Sequence, residues 1–138
     1  MSTVITFGTF DLFHIGHLNI LERAAKYGDK LIVGVSSDKL NIEKKGRVPI
    51  YSCEARMRIL RALKCVDEVF CEESLEAKAD YCKQYKASVM IIGDDWKDKQ
   101  NHTGKTFDEQ LEGICDVIYL ERTPSISTTQ LIEQISNN

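Results

Sequence analysis

Five short β-branched, apolar runs alternate along the chain with segments of helical period, and that rhythm leaves few folds open. The runs are TVITF at 3–7, KLIVGV at 30–35, VDEVF at 66–70, SVMII at 88–92 and DVIYL at 116–120. Runs this short and this apolar read as strands buried on both faces. Between them, 15–27 places Leu18, Ile20, Leu21, Ala24 and Ala25 on one helical face, and 53–64 does the same with Ala55, Met57, Ile59, Leu60 and Leu63. Helices are also expected over 74–85 and 128–135. Alternating strands and helices predict an α/β fold, an open parallel sheet of about five strands with helices on both faces. With 138 residues, two prolines, eight glycines and no repeat, one domain is expected over residues 1–138.

A net charge of −3 supplies no bulk attraction to nucleic acid or to an anionic membrane, so neither is expected as a partner. An anionic ligand would need a local cluster of donors. The five cysteines are scattered without a CxxC pair, which fits reduced thiols rather than a disulfide frame or a zinc knuckle. The N-terminal residues read as a strand rather than a signal sequence, and no apolar run reaches membrane-spanning length. A cytoplasmic protein is expected.

In open parallel sheets ligands sit beyond the carboxyl ends of the strands. Those ends read Gly8-Thr9-Phe10-Asp11, Ser36-Ser37-Asp38, Gly93-Asp94-Asp95-Trp96 and Glu121-Arg122-Thr123. After the first strand comes FGTFDLFHIGH, in which His14 and His17 stand three apart, on one face of the helix start. A helix N-terminus favours an anion, and imidazole adds directed N–H donors that can carry charge near neutral pH. Gly16 between them lets a ligand approach the backbone. Together these features suit a polyphosphate. The alternatives are a zinc or iron site, for which His102 is the only further histidine, and a packed core role for His14.

Gly104-Lys105-Thr106 imitates the end of a phosphate-binding P-loop, but position 99 is lysine where glycine is required, and no strand leads in. It reads as a surface loop. No GxGxxG follows the first strand either. At the far end, ERTPSISTTQLIEQ carries Ser127 and Gln130 at capping-box spacing, placing a helix start near Thr128. Those hydroxyls would cap the helix or, with Arg122, grip a second part of the same polyphosphate.

GTFDLFHIGH, GDDW and RTPSISTT together resemble the HxGH nucleotidyltransferase superfamily, and most of all its glycerol-3-phosphate cytidylyltransferases, from Val4 to about Ile135. The resemblance implies a Rossmann-like domain, usually a homodimer, that binds CTP with Mg2+ and transfers CMP to the phosphate of a small phospho-alcohol. It implies catalytic roles for His14, His17, Lys44 and Arg122. Nucleotide contacts would come from Gly8, Thr9, Phe10, Asp11, Gly16, Gly93, Asp94, Trp96, Thr123, Ile126, Ser127, Thr128 and Thr129. Lys44, Lys78 and either Lys45 or Arg47 would meet the acceptor phosphate. The chain departs from the family pattern at Pro124, Ser125 and Lys64, and in the longer loop after Trp96.

Each role has a plainer counterpart. Lys44 and Arg47 would otherwise be a solvated basic loop. Trp96 would be a partly buried aromatic. Asp11 would cap the first helix or position a magnesium-bound water. No direct protein ligand to a metal is expected. At the level of function, the open alternatives are phosphoethanolamine, phosphocholine or a sugar phosphate as acceptor, an adenylyltransferase, and a CTP-binding sensor module.

Overall fold

The computed structural model describes residues 2–121 and 128–136. Five strands, β1 (Thr3–Gly8), β2 (Lys30–Ser36), β3 (Glu68–Glu72), β4 (Val89–Gly93) and β5 (Asp116–Leu120), form one all-parallel sheet in the order β3-β2-β1-β4-β5. The chain winds outward from β1 to β3, then returns to the other side of β1. Strand order therefore reverses at β1 and β4, which is where such sheets open a ligand crevice.

Helices α1 (Ile15–Ala25), α2 (Asp38–Lys45), α3 (Cys53–Arg61), α4 (Lys78–Gln84), α5 (Phe107–Gln110) and α6 (Thr128–Ser136) complete the fold. One core joins Leu21 and Ala24 of α1 and Leu60 of α3 to Val4, Leu31, Val33 and Val35. A second joins Cys82 of α4 and Phe107 of α5 to Ile5, Ile32 and Met90. Successive residues of β1 and β2 thus enter opposite cores, which is why these strands are buried along nearly their whole length.

The α/β expectation holds, with local corrections. β3 begins two residues later than VDEVF suggested, because Asp67 accepts from the Leu31 amide (2.8 Å) and donates its own amide to the Leu31 carbonyl (2.9 Å) before the ladder starts. The 74–85 helix opens with a 3-10 turn, Leu75–Ala77, before α4. Helix α2 was not expected. Its sequence, DKLNIEKK, buries only Leu40 and Asn41, so it lacks an apolar stripe. Its ends are nonetheless marked by Ser37, whose hydroxyl accepts from the Leu40 amide, and by Gly46 at φ 72°, a left-handed stop. The stretch after Trp96 is not all loop: Thr106 and Glu109 form a capping box that starts α5. Gly104 lies in an exposed turn ahead of it, with no strand leading in.

Candidate active site

The corner after β1 is built under strain. Phe10 (φ 54°) and Leu12 (φ 49°) both occupy the left-handed region, which costs a non-glycine residue about 1–3 kcal/mol and concentrates at functional sites. Phe10 is buried, and its ring lies so close to Gly8 that a Cβ there would meet it at 2.8 Å. A side chain at position 8 would have to displace that ring. Asp11, between the two strained residues, neither caps α1 nor faces solvent. Its carboxylate accepts from the amides of Ile50 (2.6 Å) and Tyr51 (2.8 Å), and its carbonyl accepts from the Thr128 hydroxyl (2.9 Å).

The two histidines themselves cap α1. His14 is the N-cap, and its Nδ1 accepts from the Gly16 amide (3.0 Å). His17, three residues on, returns the bond: its Nδ1 accepts from the His14 amide (3.2 Å). This is the reciprocal geometry of a capping box, made by two imidazoles. With Nδ1 occupied as an acceptor, the neutral ring carries its proton on Nε2. His14 Nε2 is buried without a hydrogen-bond partner among the described residues, and His17 Nε2–H reaches the Thr128 hydroxyl at 3.5 Å. Burial lowers the His14 pKa, which favours the neutral ring with its Nε2–H donor.

Thr128 is the first residue of α6. Its contacts with Asp11 and His17 bring the starts of α1 and α6 to one place across 111 residues. Both open into a cavity of about 360 Å³ at the carboxyl ends of the strands. Gly8, Thr9, Phe10, Asp11, Gly16, Gly93, Trp96 and Thr129 line it with them, as do Lys44, Arg47 and Lys78. Asp94 does not. The 3-10 turn Asp94–Trp96 sets it outside the wall, and its neighbour Asp95 faces the cavity instead. Lys45 and Arg47 both line the cavity, so the choice between them stays open. Lys64, at the position where the family carries arginine, is exposed and lies outside the wall. Arg122, Thr123, Ile126 and Ser127 lie outside the described residues.

Two lysines differ in setting. Lys44 donates to Ser36 Oγ (2.7 Å) and Thr9 Oγ1 (3.4 Å), and burial, partly offset by Glu72, lowers its pKa from 10.5 to about 8. Lys78 is buried in an ion pair with Glu72, its ammonium 4.3 Å from the Phe7 ring centre. It forms part of the cavity floor, but its charge is already matched.

Three supports escaped the sequence reading. Arg56 is fully buried and donates to the carbonyls of Thr9 (2.8 Å), Ser36 (2.8 Å) and Tyr51 (3.0 Å) and to Asp38 (2.8 Å). It fastens the loops after β1 and β2 to α3. Asn41 accepts from Thr9 Oγ1 (2.9 Å) and donates to the Arg47 carbonyl (2.9 Å). Glu72 answers Lys78. In helix-period terms Arg56 stands among Ala55, Met57 and Ile59, and a charged residue on such a segment reads as solvent-facing. The one available hint was the polar ends of β1 and β2, whose carbonyls need donors.

The Cytidylyltransferase-like family model matches residues 5–134. A glycerol-3-phosphate cytidylyltransferase from Bacillus spizizenii is 44% identical over 137 residues, 99% of each chain. An FAD synthase from Pyrococcus abyssi is 34% identical, over 96% of this chain and 91% of its own. Among solved structures, the lipopolysaccharide core biosynthesis protein from Thermoplasma volcanium superposes with a TM-score of 0.73 at 23% identity, over 89% of this chain and 98% of its own, a likeness of fold. A match that runs from β1 into α6, across the corner that His14, His17 and Thr128 share, places this chain in the cytidylyltransferase-like family.

Proposed function

We propose that the protein transfers CMP from CTP to the phosphate of a small phospho-alcohol, sn-glycerol 3-phosphate, giving CDP-glycerol and pyrophosphate. The observation that carries this reading is the meeting of two helix starts and two imidazoles in the wall of one cavity that Lys44 and Arg47 also line. Similarity over 99% of the chain to a glycerol-3-phosphate cytidylyltransferase supports the choice of acceptor.

In the proposed reaction an acceptor phosphate oxygen attacks the α-phosphorus of CTP, a new P–O bond forms, and the bond to the β-phosphate breaks. A phosphate monoester loses its second proton near pH 6, so the nucleophile is already a dianion and needs no general base. The protein's part is alignment and stabilisation of growing negative charge. His14 and His17 donate through Nε2 to the phosphates, and the first amides of α6 receive another part of the triphosphate. Lys44 and Arg47 hold the acceptor phosphate. Arg122, Thr123, Ile126 and Ser127 complete the nucleotide contacts in this proposal.

Among the described residues no three acidic, histidine or cysteine side chains cluster as a metal cage. Of the acidic residues that line the cavity, Asp11 is bonded to two amides and Glu72 to Lys78, and Asp95 stands in the wall with them. These residues fit Mg2+ that arrives on the triphosphate and keeps its waters. Bound there, the ion would neutralise phosphate charge. The proposal also takes the protein to be a cytoplasmic homodimer. Free thiols support the compartment, and no helix among the described residues is long and apolar enough to cross a membrane. The exposed side chains of Val48, Ile50 and Tyr51 beside the cavity support the dimer.

The test crosses the four ribonucleoside triphosphates with glycerol 3-phosphate, phosphoethanolamine, phosphocholine and a sugar phosphate, reading pyrophosphate release. Turnover confined to CTP with glycerol 3-phosphate is expected. Turnover with ATP would favour the adenylyl transfer that the FAD synthase likeness suggests, and CTP binding without release in any combination would indicate a sensor.

A further inference from the structure

Cys53 is the first residue of α3 and Cys71 lies on β3, at the edge of the sheet, yet their sulfurs are 3.4 Å apart. Both side chains are half-buried, so a small solute can reach them. Neither lines the cavity, and nothing in the proposed reaction uses a thiol. Cys71 also donates to the Glu73 carboxylate at 3.3 Å, and burial holds its pKa well above the usual thiol range, so it rests protonated. A disulfide requires sulfurs about 2.05 Å apart, so the pair must close by roughly 1.4 Å.

We propose that Cys53 and Cys71 form a reversible oxidation site that takes hydrogen peroxide and lowers the activity of the neighbouring cavity. The Cys53 sulfur, rather than the protonated Cys71, attacks a peroxide oxygen, the O–O bond breaks, and the departing hydroxide takes up the thiol proton as water. The second sulfur then attacks the resulting sulfenic sulfur, the S–O bond breaks, and a second water leaves. Two thiols lose two electrons and two protons in total, and one peroxide becomes two waters.

The two cysteines are anchored where closure is felt. Arg56, which holds the Thr9 and Ser36 carbonyls, follows Cys53 by three residues on α3. Glu72, the partner of Lys78 on the cavity floor, follows Cys71 directly. Pulling α3 and β3 together moves both supports, and a displacement of about 1 Å in such a support can cost on the order of a hundredfold in rate. A competing thiol pair, Cys82 and Cys115, is also hydrogen-bonded, but Cys82 is buried away from peroxide.

Treating the full chain with hydrogen peroxide, blocking the remaining thiols and mapping tryptic peptides without reductant tests the site. The expected product is a link between the peptide holding Cys53 and peptide 65–78, accompanied by a roughly ten- to hundredfold loss of turnover that dithiothreitol reverses. Because peptide 65–78 contains both Cys65 and Cys71, Cys65→Ser must keep the link and Cys71→Ser must lose it. Cys53→Ser should match the untreated protein in activity and resist peroxide. A Cys82–Cys115 link appearing first, no link at all, or equal inhibition of Cys53→Ser would each overturn the proposal.

Discussion

The rings of His14 and His17 stack with centroids 3.8 Å apart and planes 24° apart, while each directs its Nδ1 to a backbone amide at the start of α1. Two imidazolium rings would repel at that distance. Neutral rings with Nε2–H donors suit both the stack and the caps. Structural and chemical roles therefore divide between the two nitrogens of each ring, and a substitution can separate them.

At His14, asparagine is the separating substitution, because it is among the best N-cap residues and lacks a donor at the Nε2 position. His14→Asn is expected to melt near the parent temperature yet lose about a hundred- to a thousandfold in kcat, the usual effect of deleting one oxyanion donor. His17→Ala should show a comparable loss. Thermal melts beside steady-state rates check both, and a normal rate in either variant would remove that ring from the mechanism.

Acid should disturb the same ring. A histidine whose folded pKa lies below its unfolded value is protonated first in the unfolded chain, so folding loses stability as pH falls through 6.5 toward the folded value. His14→Asn should flatten the fall in stability below that pH, measured as denaturation midpoints across a pH series.

Lys44 predicts the opposite limb. Its pKa is lowered from 10.5 to about 8, chiefly by burial, so between those values the unfolded chain holds a proton the folded chain has released. Stability from this group accordingly rises with pH through that window. The cation available to the acceptor phosphate is lost over the same range, so kcat/KM for the acceptor should decline above pH 8. Lys44→Gln should lower kcat/KM at neutral pH and abolish that alkaline decline.

The sequence made the scaffold and the mouth of the site legible, for different reasons. Strands buried on both faces leave uninterrupted apolar runs, and α1 and α3 bury stripes of helical period, so the sheet and these helices announced themselves. HIGH and the hydroxyls near Thr128 stood out because their residue types are unusual for a helix start. Arg56 did not stand out, and Asp11 did so for a cap or a magnesium-bound water rather than for the loop it holds. Their partners are backbone groups at Ile50, Tyr51, Thr9 and Ser36, and backbone groups leave no trace in the residue letters. Asp94 was preferred over Asp95 because a strand end alone does not specify the 3-10 turn that reverses which of them faces the cavity.

Arg56 should be the most sensitive of the hidden supports. Its deletion leaves the carbonyls of Thr9, Ser36 and Tyr51 without their donor, and each unsatisfied buried group typically costs about 1–3 kcal/mol. Arg56→Ala is expected to lose stability on that scale, and Arg56→Lys should recover only part, since an ammonium lacks the guanidinium's planar fork. Asp38, the exposed end of the same network at 43% side-chain exposure, should matter far less; Asp38→Asn is expected to cost less than about 1 kcal/mol. Urea midpoints of the three variants provide the comparison.

Asp11 tests whether a carboxylate beside a phosphate site works through the loop it holds or through a metal. Both of its oxygens are hydrogen-bonded to the Ile50 and Tyr51 amides, and its backbone sits between two residues in the left-handed region. Asp11→Ala leaves those amides unmatched and releases the strained corner, at a cost of about 1–3 kcal/mol. Asparagine rescues little, because its NH2 would face one of the two amide N–H groups. Both variants should unfold earlier and raise KM for the acceptor, because the 46–52 segment leads out of the turn that carries Lys45 and Arg47. The Mg2+ concentration that gives half-maximal rate should stay unchanged if loop anchoring is the whole role. A rise in that concentration, with stability intact, would instead make Asp11 part of the metal's surroundings.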